Sequence, residues 1–308
     1  MNKVFTNIHT PVVIIVFNRS DLVRILLDQL SAFNLSKLYV IMDGPRKDNA
    51  NDKQERKAIL DLINNIDFAQ HIDYQIAEYN LGCTQRVVSG LNYVFDKEES
   101  AIILEDDCIP SETFFEFCQQ MLTKYKNDYR VGIISGSNLV ETSNKKNTYH
   151  FSKYSNIWGW ASWRRVWKEY DVELNKFDNK VMEKIKGRFN NKNEYNYWKA
   201  VFDQTKKQLI KTWDYQLWFS LWINGQISIV PSVNQIENLG FGHENATHTG
   251  GPHPAKNIKK GNIEFPLVEP DIMLPDTELD EKILETLYQF PPMLYRIKNK
   301  LLKLTRLQ

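Results

Sequence analysis

Over the first 140 positions, short β-branched apolar runs alternate with longer amphipathic stretches. Residues 11–17 read as a buried strand, because the apolar run is continuous rather than alternating. Ser20 then predicts the cap of a helix carrying Leu22, Ile25, Leu26 and Leu30 on one face. Residues 38–42 predict a second strand, stopped by the turn Asp43-Gly44-Pro45. Helical patterns over 53–66 and 84–95 flank a strand over 72–77. Residues 101–104 form another short apolar run that passes into Glu105-Asp106-Asp107, and Pro110 and Ser111 open a helix. Residues 131–134 end in the polar loop Ser135-Gly136-Ser137-Asn138. Alternation of this kind predicts an α/β fold with a parallel, helix-covered sheet. Ligands of such sheets bind beyond the carboxyl ends of the strands. Arg19, Asp43, the acidic triplet and Asn138 all follow such ends, so they are expected on one rim.

The pattern changes near residue 268, where prolines become frequent, and this divides a main domain over 1–267 from a tail over 268–308. The last segment, 293–308, places Leu294, Ile297, Leu301 and Leu304 on one helical face, with Arg296, Lys298, Lys300, Lys303 and Arg306 around it. That pattern suits a helix lying on an anionic membrane surface, or one packed against protein. Composition adds exclusions. A chain that is 42% hydrophobic and 25% charged is neither disordered nor a membrane bundle, and a formal net charge of +1 gives no reason to expect nucleic acid. The three cysteines show no metal-ligand spacing and the N-terminus shows no signal peptide, so a cytoplasmic protein with free thiols is expected.

Four segments carry candidate chemistry. Adjacent carboxylates at the end of a strand repel unless a cation joins them, so Glu105, Asp106 and Asp107 suit Mg²⁺ or Mn²⁺ clamping a diphosphate. A solvated acidic turn is the alternative. Trp158, Trp160, Trp163 and Trp167 crowd one stretch, and indole rings cover the apolar faces of sugars. Trp160, Trp163 and Trp167 also fit a helical stripe packed into the core, which leaves Trp158 and Trp160 as the ligand candidates. Asp214 opens an apolar helical run, either as a cap or as a general base. The glycine-flanked loop 241–251 carries His243 and His248, which suit a metal or a phosphate.

Taken in order, several segments resemble the GT-A glycosyltransferases. They are PVVIIVFNRS, a strand ending in DG, NLGCTQRVVSGLNYVF, IILEDD with its following FFEF helix, the GW turn, TWDYQLW and FGHENATHT. The resemblance is both to the Golgi enzyme that adds N-acetylglucosamine to a mannose of N-glycans and to bacterial sugar transferases of the family 2 kind, and it spans roughly residues 11–250. It implies a Rossmann-like mixed sheet flanked by helices, a UDP-sugar donor, and Mn²⁺ or Mg²⁺. By the same resemblance Arg19 contacts the nucleotide and Asp43 recognises uracil. Asp107 binds the metal, while Glu105 and Asp106 meet ribose or water. Asp214 is the general base of an inverting displacement, and His248 belongs to the loop over the donor. The Golgi members carry a membrane anchor and disulfides that this chain lacks. The implied enzyme is therefore bacterial, peripheral at most to the inner face of the cell membrane, and acts on a glycan or lipid-linked precursor of surface polysaccharide. Two alternatives remain, a nucleotidyltransferase and a non-catalytic carbohydrate-binding protein. The absence of a glycine-rich loop after the first strand argues against the former.

Overall fold

Continuous apolar strands build the centre of the molecule. The computed structural model describes residues 6–140, 142, 146–245 and 254–288. In chain order the elements are β1 (Thr6–Ile8), β2 (Val12–Val16), α1 (Ser20–Leu30), β3 (Phe33–Leu35), β4 (Leu38–Met42), α2 (Ala50–Ile63), β5 (Ile72–Ile76) and α3 (Cys83–Lys97). Next come β6 (Ser100–Glu105), β7 (Cys108–Pro110), α4 (Phe114–Lys124), β8 (Val131–Ser135), β9 (Tyr149–Ser152), β10 (Trp160–Trp163) and α5 (Arg164–Trp167). The last are α6 (Asn179–Lys184), α7 (Lys192–Lys206), α8 (Asp214–Ile223), β11 (Ile227–Pro231), β12 (Ile236–Asn238) and α9 (Thr277–Leu287).

Eight strands form one sheet in the order β5-β4-β2-β6-β10-β8-β11-β9. The runs VVIIV and LYVIM of β2 and β4 are buried throughout, because helices cover both faces. β5, at the edge, is only partly buried and reads IDYQI. The fold is α/β with a mixed sheet flanked by helices. β10 runs antiparallel between β6 and β8, and β9 antiparallel to β11, so the arrangement is not wholly parallel.

Several local expectations are corrected. Trp160 and Trp163 lie in a strand rather than on a helical stripe, because β6 and β8 both offer backbone partners to it. Ser20 is the first helical residue instead of the cap, and its N–H donates to Glu55 Oε2 at 2.7 Å. Ile25 is exposed, and α1 buries Leu22, Val23, Leu26, Leu27 and Leu30. Pro110 ends β7, and the following helix starts only at Phe114.

A boundary at 267/268 would cut through packed contacts. Thr148 N–H donates to Val268 O at 2.9 Å, and Asp276 N–H donates to Phe151 O at 2.8 Å, both along β9. α9 buries Leu279, Ile283 and Leu284 in the common core, each worth about 1.5–3 kcal/mol against exposure. Residues 293–308 lie outside the described residues. Among the described residues, no helix is long and apolar enough to cross a membrane.

Candidate active site

Three neighbouring strands deliver the acids. β2 pairs with β4 (Val16↔Met42) and with β6 (Ile15↔Glu105), so the residues after their ends sit side by side. Arg19 follows β2, Asp43 follows β4, and Glu105 closes β6 ahead of Asp106 and Asp107. The guanidinium of Arg19 joins the two aspartates. Nη1 donates to Asp107 Oδ2 at 2.9 Å, Nε to Asp106 Oδ2 at 3.3 Å, and Nη2 to Asp106 Oδ1. One cation therefore faces three carboxylates. Burial, then the neighbouring charges of Asp107 and Asp106, push the carboxyl of Glu105 up to about 8. Burial also raises Asp106, against the pull of Arg19.

Asp107 is fixed from behind. Its carbonyl accepts from Leu239 N–H at 2.9 Å, continuing the β7–β12 pair in which Cys108 faces Asn238. Gly240 then passes so close that a Cβ there would lie 2.3 Å from Asp107 Oδ2. The loop after it leans on the β2–α1 turn, with His243 Nε2 at 3.2 Å from the carboxylate of Asp21 and Asn245 Nδ2 donating to Asn18 O at 3.2 Å. His248 lies outside the described residues.

Asp214 comes from a separate element, as the first residue of α8. Its Oδ1 accepts from Tyr215 N–H at 2.9 Å and from the Thr212 hydroxyl, so it does cap its own helix start. Its charge also bears on the acidic triplet. It adds to the burial and the other acids that raise Glu105. Cys83 opens α3 and is exposed. The structure thus brings Arg19, Glu105, Asp106 and Asp107 together, and the charge of Asp214 bears on Glu105.

Asp43 is present on this rim with a different occupation from direct uracil recognition. Oδ1 accepts from the N–H groups of Gly44 (2.8 Å) and Leu81 (2.9 Å), and Oδ2 from Asn80 Nδ2 (2.9 Å) and Gly82 N–H (3.1 Å). Four bonds use the acceptor capacity of a carboxylate, so Asp43 shapes the 80–82 turn ahead of α3. Trp160 is likewise corrected from ligand contact to core. It is 1% exposed and stacks on Trp213 at 5.9 Å. Trp158 is half-buried and edge-on to Phe241 at 5.5 Å. Asn138 is buried and donates to Pro231 O at 2.9 Å, tying the ends of β8 and β11 rather than facing the acids.

Two groups escape the sequence reading. Asp52, with a fully buried side chain, takes a two-pronged ion pair from Arg46 (2.7 and 2.8 Å) and a bond from Asn18 Nδ2 (2.8 Å). The Arg46 bonds hold its carboxyl down at about 2, and the pair pins the loop after β4 against the end of β2. Arg86 is 8% exposed on the first turns of α3, and its Nε has no hydrogen-bond partner among the described residues. Burial lowers its pKa while the nearby Asp43 charge raises it. The visible signal was a basic residue in the same stripe as Val87, Leu91 and Val94.

Among the described residues no group of three or more His, Cys, Asp or Glu side chains is arranged to hold a metal ion. The donor set still fits a hard divalent cation of one kind. Mg²⁺ typically takes one or two protein carboxylates and completes its shell with water and phosphate oxygens. Asp107 is the carboxylate on this rim that could serve as such a ligand, with Arg19 now bonded to its Oδ2.

No family model matches this chain, and no curated protein matches it. Solved structures similar to it include 4-diphosphocytidyl-2C-methyl-D-erythritol synthase from Anaerococcus prevotii, at 14% identity and a TM-score of 0.35, over 55% of this chain and 79% of that one. UDP-glucose pyrophosphorylase, complexed with UDP-glucose, is similar at 10% identity and a TM-score of 0.31, over 52% of this chain and 78% of that one. Likenesses this slight transfer no function.

Proposed function

We propose that this protein is a GT-A glycosyltransferase that moves a sugar from a nucleotide diphosphate, of the UDP-sugar kind, onto a glycan or lipid-linked acceptor. The observation that carries the reading is the acidic triplet at the end of β6, with Asp106 and Asp107 bridged by Arg19 from the end of β2 and with the charge of Asp214, from α8, bearing on Glu105. Arg19 and Arg86 are the cations that would meet the donor's anionic part, Arg86 because it has a buried donor without a partner among the described residues. Trp158 would flank the sugar. Asp107 would hold Mn²⁺ or Mg²⁺, which when bound supplies positive charge to the diphosphate.

Asp214 acts as base. It takes the proton of an acceptor hydroxyl, whose oxygen attacks the anomeric carbon as the carbon–oxygen bond to the nucleotide diphosphate breaks on the opposite face. Configuration at that carbon inverts. The test is hydrolysis and transfer with a set of UDP-sugars, with and without Mn²⁺, run beside nucleoside triphosphates with sugar 1-phosphates. Metal-dependent release of UDP, lost in Asp107→Ala, is expected. Release of pyrophosphate from a triphosphate would show a nucleotidyltransferase instead, and inertness in both assays would show a binding protein.

A further inference from the structure

The base proposed above needs a surface that presents the acceptor hydroxyl. Three tyrosines stand around one buried tryptophan beside it. Trp198 of α7 is fully buried, and its ring centroid lies 5.1 Å from that of Tyr197, 5.9 Å from that of Tyr215 and 5.1 Å from that of Tyr288. Trp218 supports the group from α8, 5.0 Å from Trp198 and 5.7 Å from Tyr288. Trp198, Trp218 and the neighbouring Trp222 are core residues, whereas the three tyrosines are each half-buried.

The tyrosines come from α7, α8 and the end of α9, so no local sequence preference explains their meeting. Tyr215 is bonded through its backbone to Asp214, and the Asp214 charge adds to burial in raising the hydroxyls of both Tyr215 and Tyr288. Through Tyr215, which follows Asp214 at the start of α8, the cluster adjoins the carboxylate. Rigid rings with hydroxyl rims fit a pyranose, which has apolar C–H faces and hydroxyl edges. The adjacent carboxylate disfavours a phosphorylated or acidic ligand at this spot.

We infer that Tyr197, Tyr215 and Tyr288 form an acceptor subsite for an uncharged pyranose, holding its hydroxyl against Asp214. The inference rests on the transferase reading of Asp214.

The test uses the full chain and a panel of 4-nitrophenyl pyranosides (glucoside, galactoside, N-acetylglucosaminide and mannoside), with binding followed by saturation-transfer NMR. UDP affinity is measured by calorimetry on the same preparations. At least one glycoside is expected to bind. Tyr215→Ala and Tyr288→Ala should weaken it about ten-fold or more relative to the change in UDP affinity. Tyr215→Phe and Tyr288→Phe keep the rings, so they report on the hydroxyls should an alanine variant fail to fold, and a weaker glycoside affinity is expected there too. A wild-type protein that binds no glycoside overturns the inference, as does binding untouched in every variant, even if a UDP-sugar is turned over. Glycoside binding that is lost in the variants, in a protein that turns over no UDP-sugar, supports the sugar site and overturns the transferase reading.

Discussion

A glycine sets the tightest constraint at the level of single residues. Any side chain at 240 would press on Asp107 Oδ2 at 2.3 Å and on Arg19 Nη1 at 3.1 Å. Gly240→Ala is expected to displace the carboxylate and lower Mn²⁺-dependent UDP affinity about 10–100-fold, as for residues that orient a ligand group. Unchanged calorimetric affinity would show that the close approach is incidental. Asp214 allows a cleaner separation. Asparagine keeps the oxygen that accepts from Tyr215 N–H and from Thr212, so the helix start survives while the base is lost. Asp214→Asn should cost about 10²–10⁴-fold in turnover and leave UDP binding and melting temperature near the wild-type values. Normal turnover with earlier melting would reduce Asp214 to a cap. The acidic triplet was legible in the sequence because three adjacent carboxylates after an apolar run have few structural uses. The commitments of Asp43 were not legible. Its four partners include Asn80, Leu81 and Gly82, nearly forty positions away, and only the fold brings them there.

Strands β2, β4, β6 and β8 were readable as elements because a run buried on both faces must be continuously apolar. β10 was misread for a physical reason. Tryptophans at 160, 163 and 167 satisfy a helical period, yet the four-residue run WASW gains two sets of backbone partners by entering the sheet. α9 was placed in the tail because prolines become frequent near residue 268, although Leu279, Ile283 and Leu284 are buried among its acids. One of those acids explains how the helix is held. Asp280 is buried, accepts from the Ser152 hydroxyl, and meets Lys153 N–H at 3.3 Å. Burial pushes its carboxyl up to about 6, above the ordinary 3.8. A raised carboxyl favours folding while protonated. Its contribution is complete below about pH 3.8 and is lost as pH rises through about 6. Asp280→Asn should remove that slope, which is at most about 1.4 kcal/mol per pH unit. Urea titrations of both proteins between pH 4 and 7 check it, and parallel curves would exclude Asp280 as the source.

For the molecule as a whole, α9 is packed into the core and the half-buried Tyr288 lies against it, so truncation after 292 spares every contact given above. The five basic residues between 296 and 306 should draw the full chain to anionic vesicles, by about 1 kcal/mol each near the surface and less in salt. Co-sedimentation that is salt-sensitive and lost in the truncated chain is expected. A full-length chain that never sediments would turn the segment into a protein contact. The same packing has a consequence for synthesis on the ribosome. β9 is the outer strand of the sheet, and its free side is met by Val268 and Asp276. Those residues follow β11, the strand that seats β9 in the sheet, by about forty positions, on the order of a few seconds at ordinary elongation rates. Throughout that interval the nascent chain carries an open strand edge able to pair with a neighbouring chain. Yield in cells should therefore depend on how fast the last forty residues follow, and on whatever chaperone holds the edge until they do.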